Sequence, residues 1–207
     1  MDGMLKYPNS IVLKKFNDNI YIYNMMDSKT NSTIQKNWYV ITGGPSTGKT
    51  TVIDLLQKQG YTTTIEHARH YIDTMRNEGH SVDEIRNNKR KFQLGVLDMQ
   101  IEQEASIKTK NIVFLDRAIP DALAYYQFLE LDYDEKLINA IKEVSYKKIF
   151  ILDRLPFTKD YARTENEEDQ EKIHQLIIDV YRDLGFPIVF VPVVSPLERV
   201  KYILDNV

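Results

Sequence analysis

The chain contains no cysteine. Disulfides, thiolate nucleophiles and cysteine-ligated zinc are therefore excluded, and a cytoplasmic setting is the default expectation. It has one tryptophan, eight glycines and seven prolines among 207 residues, far from a collagen-like or Pro/Gly-rich disordered composition. No stretch approaches the ~20 consecutive apolar residues of a membrane span. The N-terminus lacks the basic start and apolar run of a signal peptide. Neither sign of charge dominates, since 27 Lys and Arg face 30 Asp and Glu for a net charge of −3. Whole-chain electrostatics thus asks for neither nucleic acid nor an anionic membrane. The length suits one α/β domain with a real core, with room for a small extension.

Against this scarcity, three of the eight glycines fall between positions 43 and 48. The stretch Gly43-Gly44-Pro45-Ser46-Thr47-Gly48-Lys49-Thr50 matches the phosphate-binding pattern G-x-x-x-x-G-K-[ST]. Glycine lets backbone N–H groups approach phosphate oxygens closely, and a helix starting at the loop points its positive end at them. Lys49 is placed to reach the β/γ-phosphates of ATP or GTP and Thr50 to hold Mg²⁺, with Thr51 completing the nucleotide-binding stretch. The context fits. Trp38-Tyr39-Val40-Ile41-Thr42 is β-prone, and Thr51 to Gln59 carries Val52, Leu55 and Leu56 on one helical face before Gly60.

Residues 1–37 differ from the rest. Ile11-Val12-Leu13 and Ile20-Tyr21-Ile22-Tyr23 flank a polar turn and predict a β-hairpin, followed by a Ser/Thr/Asn/Lys linker. Residues 38–207 read as the P-loop domain. Further strands are predicted at 61–65, 111–116, 148–152 and 188–194, separated by helical patterns. One long helix, 89–109, has Leu94, Leu97, Ile101 and Ala105 as its apolar side, and another helix follows a capping box at Thr164 and Glu167. Five strands alternating with helices predict a parallel sheet covered on both faces, with ligands at the carboxyl ends of the strands.

Those ends carry the candidate chemistry. Asp116 breaks an apolar run, where a carboxylate can hold Mg²⁺ or act as a base; the alternative is a turn cap. Glu66 and Arg69 could bind a second substrate and take its hydroxyl proton, or form a surface pair at i, i+3. Arg117 and Asp121 pose the same choice between substrate contact and a salt bridge at a helix start. Arg154, Lys159 and Arg163 lie where a lid could bring positive charge to the transferring phosphoryl group, with Arg163 preferred. Ser195 and Pro196 are candidates for the nucleotide base. His67 and His70 lack an evident third zinc ligand. Lys89-Arg90-Lys91 reads as a solvated helix start, and the 13 tyrosines carry no assigned function.

Several segments together resemble a known family. They are Val40 to Thr51, Glu66-His67-Ala68-Arg69, Phe114 to Asp121, Asp160 to Glu165 and Val191 to Val200. They are similar to AAA-type ATPase domains grouped near the ribosylnicotinamide-kinase domain of NadR, which include the domain of the TRPL translocation defect protein. The resemblance runs from about Trp38 to the end. It implies a P-loop kinase-like fold and ATP or GTP binding, with Lys49 and Thr50 at phosphate and Mg²⁺, Asp116 at the metal and Arg163 in the lid. The expected activity is Mg²⁺-dependent phosphoryl transfer to a small hydroxyl-bearing metabolite such as a nucleoside. The alternative is a nucleotide-binding switch or slow NTPase acting on a protein partner. The N-K-x-D guanine-recognition pattern is absent, which leans toward ATP.

Overall fold

The computed structural model describes residues 36–155 and 166–207, and the backbone of 11–16 and 19–24. The hairpin is present: β1 (Ile11–Phe16) pairs antiparallel with β2 (Asn19–Asn24), Leu13 opposite Ile22. The predicted linker lies largely outside the described residues.

A five-stranded parallel sheet follows, in the order β4 (Thr62–Thr63), β5 (Val113–Asp116), β3 (Trp38–Thr42), β6 (Lys148–Leu152) and β7 (Ile188–Val191). Every residue of β3 and β5 is buried, as their unalternating apolar sequences require of central parallel strands. Three strands are shorter than expected, β5 beginning at Val113 rather than at position 111. β7 stops at Val191 because Pro192 follows and has no N–H to donate. β4 keeps two residues, although the Thr64 N–H still donates to the Phe114 carbonyl at 3.1 Å.

Eight helices occur among the described residues: α1 (Lys49–Lys58), α2 (His67–Asn77), α3 (Val82–Asn87), α4 (Lys89–Ser106), α5 (Ile119–Phe128), α6 (Glu135–Glu143), α7 (Glu167–Asp183) and α8 (Pro196–Asp205). The two-residue period of β3 divides the core. Tyr39 and Ile41 meet α1 and α8 through Val52, Leu56, Val200 and Ile203. Trp38 and Val40 face the opposite way, toward Leu97 of α4, Ala122 and Tyr126 of α5, and Ile177 and Tyr181 of α7. A smaller cluster of Ile72, Ile85, Phe92 and Val96 joins α2, α3 and α4.

Two helix expectations are corrected. Asn166 caps α7 by accepting from the Asp169 N–H at 2.8 Å, while Thr164 lies outside the described residues. The buried side of α4 is Phe92, Gln93, Val96, Leu97 and Gln100; of the expected apolar side only Leu97 is fully buried, Leu94 and Ile101 being half-buried and Ala105 exposed. Two glutamines displace aliphatic residues because a cavity, described below, lies against this helix. Gly95 completes the contact with α2: a Cβ there would stand 2.1 Å from the Tyr71 ring.

Near the end of α4 a carboxylate is half-buried. Glu104 accepts from the Tyr146 hydroxyl at 2.8 and 3.0 Å, and burial pushes its pKa up to about 7 against that bond. The folded chain therefore holds this proton where the unfolded chain has released it. Stability from this group falls as pH rises from the ordinary carboxylate range to about 7, and is flat above. Melting the wild type and Glu104→Gln across pH 4.5–8 should show the wild type losing ground to the variant up to about pH 7; a difference independent of pH would contradict this assignment.

Candidate functional site

The β3–α1 connection is built around backbone conformations that few residues adopt. Gly43 and Gly48 have φ of 136° and 81°, and Ser46 has φ of 58°. Gly44 is required for another reason: a Cβ there would stand 2.9 Å from the Gln170 carbonyl and 2.8 Å from the His174 Cβ. α7 thus lies directly on the loop, and the Gly44 N–H donates to His174 Nδ1 at 3.0 Å. Burial holds the His174 pKa below the ordinary imidazole value, with Lys49 adding to the effect. That keeps Nδ1 free to accept.

Lys49 is buried and folds over its own loop. Its Nζ donates to the carbonyls of Gly43 (3.1 Å) and Gly44 (2.8 Å) and to Thr47 Oγ1 (3.1 Å). Burial and the nearby Arg117 push its pKa down to about 7, opposed by Asp116 and Glu66. Thr50 and Thr51 are exposed at the helix start and line the cavity.

Parallel pairing places Asp116 level with Ile41, one strand away from the loop. Its N–H donates to Thr64 Oγ1 at 2.8 Å. Its Oδ1 is buried and meets no partner among the described residues. Burial, reinforced by Glu66, pushes its pKa up to about 7. A buried oxygen in this state fits a hard cation. No cluster of three His, Cys, Asp or Glu that could hold a metal occurs among the described residues. A cation here would therefore need phosphate oxygens as well, which is the habit of Mg²⁺. The same observation leaves His67 and His70 without a zinc site.

Arg117 follows at φ 63°, a left-handed conformation that is sterically costly for a side chain of this size. Its guanidinium bridges to Asp121 at 2.9 Å. Asp121 also accepts from Thr42 Oγ1 (2.5 Å), Tyr181 Oη (2.6 Å) and the Ala118 N–H (3.2 Å). The salt-bridge alternative for Asp121 is present: four protein donors meet its carboxylate, and it orients Arg117. Glu66 and Arg69 come together at 3.5 Å on α2. Arg154 turns to α7, with Glu171 at 3.5 Å. Lys159 and Arg163 lie outside the described residues, and Ser195 is occupied capping α8 with Glu198.

Several of these groups, among them Lys49, Glu66, Arg69, Arg117 and Asp121, line one cavity of about 560 Å³. The P-loop residues Pro45, Ser46 and Gly48 to Thr51 line one part. Glu66 before α2, His67 and Arg69 of α2, Phe92, Gln93, Val96 and Gln100 of α4, and Arg117, Asp121 and Tyr125 are among the residues that line the remainder. Sequence reasoning missed the two glutamines. It also missed Arg199, which is 2% exposed and donates to three carbonyls: Pro192 (2.9 Å), Thr47 (2.5 Å) and Asp153 (3.1 Å). That one side chain ties the loop crest to the ends of β6 and β7. Its place in Ser195-Pro196-Leu197-Glu198-Arg199 is the only sequence signal it leaves.

The geometry agrees with the comparisons. The family described as AAA domain matches residues 38–199, and the chain belongs to it. Among curated proteins no match is found. Among solved structures, NadR in complex with NR superposes with a TM-score of 0.58 at 18% identity, over 83% of this chain and 50% of that one. Deoxyadenosine kinase from M. mycoides with bound products gives 0.56 at 16% identity, over 82% and 97%. Thymidylate kinase from Ehrlichia chaffeensis gives 0.57 at 15%, over 82% and 97%. The chain spans about half the length of the NadR structures. At these identities the likeness shows the fold, that of P-loop kinases.

Asp121→Asn tests the organising role. An amide group would set a donor against a donor, and the variant should lose about 3 kcal/mol of stability in urea denaturation. A loss below about 0.5 kcal/mol would mean that the four bonds do not hold the site together.

Proposed function

We propose that this member of the AAA-domain family is a Mg²⁺-dependent phosphotransferase that moves the terminal phosphoryl group of ATP, or GTP, to a hydroxyl of a small metabolite such as a nucleoside. The observation that carries the reading is the extent of the cavity, which passes from the P-loop to a chamber between α2, α4 and α5. A nucleotide switch or slow NTPase needs the first part and has no use for the second.

In this reading the loop amides and Lys49 bind the β- and γ-phosphates, Lys49 exchanging its loop carbonyls for phosphate oxygens. Thr50 and Asp116 would hold Mg²⁺, which supplies charge neutralisation on the phosphates. The acceptor hydroxyl lies by Glu66. Its oxygen bonds to the terminal phosphorus, the bond from that phosphorus to the bridging oxygen breaks, the nucleoside diphosphate leaves and Glu66 takes the hydroxyl proton. Arg69 and Arg117, each held by a carboxylate, flank the acceptor. Arg163, outside the described residues, is the arginine assigned in this reading to bring positive charge to the transferring phosphoryl group. Phe92 and Tyr125 are the aromatic residues on the cavity lining, with Arg86 and Arg117 over their rings. Residues 38–207 form the catalytic unit and 1–37 an extension, in a cytoplasmic protein that does not engage nucleic acid.

The test is ³¹P NMR of the protein with Mg-ATP or Mg-GTP and a pool of nucleosides. A new phosphomonoester signal is expected, falling at least about a hundredfold in Lys49→Ala with unchanged circular dichroism. Turnover to inorganic phosphate alone would select the switch or NTPase, and full transfer by Lys49→Ala would remove the lysine from the mechanism.

A further inference from the structure

The peptide unit between Gly43 and Gly44 is gripped on both sides by side chains of different elements. Its N–H, that of Gly44, donates to His174 Nδ1 on α7 at 3.0 Å. Its carbonyl, that of Gly43, accepts from Lys49 Nζ on α1 at 3.1 Å. The N–H and the carbonyl of a trans peptide point opposite ways in one plane. Whatever fixes the N–H therefore fixes the direction of the carbonyl, and with it one anchor of the ammonium.

This unit needs such a hold. A peptide plane turns over when ψ of its first residue and φ of its second change together. Here both residues are glycine, so no Cβ opposes the turn. The Gly44 carbonyl is also held, by Lys49 Nζ at 2.8 Å and by the Thr47 hydroxyl at 3.1 Å, but it belongs to the following peptide. Among the described residues His174 is the partner of the Gly44 N–H. Turned over, the unit would set an N–H where Lys49 now finds an acceptor, donor against donor.

His174 is suited to the task. α7 packs so closely on the loop that a Cβ on Gly44 would stand 2.8 Å from the His174 Cβ. Two turns further along the helix, Tyr181 is bonded to Asp121 at 2.6 Å, which holds α7 in place. Burial keeps the imidazole pKa below its ordinary value, with Lys49 and Arg154 adding to the effect and Asp153 opposing it. A neutral ring whose Nδ1 accepts carries its proton on Nε2.

We propose that His174 is a positioning residue for Lys49: by accepting from the Gly44 amide it holds the Gly43–Gly44 peptide in the orientation that offers its carbonyl to the ammonium. This rests on the phosphate-binding part of the reading above and on the identity of no acceptor. A loop free to turn over is competent in only a fraction of molecules, and its apparent affinity for a polyphosphate falls by that fraction.

The test uses the full chain. ¹⁵N NMR should show His174 as the Nε2–H tautomer with Nδ1 unprotonated, its signal assigned by loss in His174→Asn; a proton on Nδ1 would overturn the proposal. In calorimetric titration with Mg-ATP, His174→Leu, which keeps bulk and removes the acceptor, should bind about tenfold more weakly than wild type. His174→Asn, whose side-chain oxygen can stand where Nδ1 does, should stay within about threefold of wild type. Equal losses in the two variants would mean that α7 serves by packing alone. No loss in His174→Leu would mean that the loop holds this peptide unaided. Either result overturns the proposal. A double-mutant cycle decides the route: in a Lys49→Ala background His174→Leu should change the dissociation constant by less than about twofold. A further tenfold loss there would show that His174 acts on the loop amides and not through the lysine. Wild type that binds no Mg-ATP removes the phosphate site and this inference with it. Binding without transfer to any nucleoside removes the phosphotransferase reading and leaves this inference standing.

Discussion

The carboxylate of Asp121 is the fixed point of this site. It is 1% exposed and accepts from Thr42 at the end of β3, Arg117 after β5, the first amide of the α5 start and Tyr181 of α7. Two local donors and two from 60 and 79 positions away converge on two oxygen atoms. A buried carboxylate is tolerated only when its charge is answered, and here one guanidinium and three neutral donors answer it. The consequences reach further than the carboxylate. Arg117 can occupy a left-handed backbone conformation because its side chain is anchored, and that conformation carries it to the cavity wall. α7, held by Tyr181, lies where His174 can meet the Gly44 amide.

A second set of ties holds the loop from the other side. Arg199 reaches from α8 to the carbonyl of Thr47 while also binding the carbonyls of Asp153 and Pro192. A planar guanidinium with five donors can serve three directions at once, which an ammonium on a flexible stem does less well. Between His174 on one flank and Arg199 on the other, the P-loop is constrained at its first and last thirds. Anion binding by backbone amides depends on such preorganisation, because amides that must first be gathered bind weakly.

What the sequence made legible follows from which interactions are local. The P-loop, the five strands and the acidic strand ends could all be read, since each depends on spacing within a few residues and on apolar runs. Glu66 with Arg69, and Arg117 with Asp121, were recognised as pairs because three or four positions on a helix are neighbours. The choice between ligand contact and internal bridge was not legible. For Asp121 it turns on Tyr181 and Thr42, which lie 60 and 79 positions away. Gln93 and Gln100 were passed over for a related reason. Glutamine on a helix is ordinarily solvated, and only the packing of α2 and α4 buries these two. Arg199 binds carbonyls, which carry no side-chain signature, one of them 152 positions distant.

The distribution of charge around the cavity bears on which acceptor it can hold. Glu66 answers Arg69 and Asp121 answers Arg117, so two of the cations on the chamber wall come already paired with carboxylates. The charge most exposed to change is at the opposite end, where burial draws Lys49 and Asp116 from opposite sides toward about 7. A polyphosphate with its cation would set both groups in their ionised states, while a neutral ring with polar edges asks little of the paired chamber. Electrostatic work is thus concentrated at the phosphate end. The far end is lined by Phe92, Tyr125 and Val96 beside the amides of Gln93 and Gln100 and the imidazole of His67, which burial keeps neutral. For the proposed phosphotransferase, that division suits an acceptor that brings no phosphate of its own to the chamber.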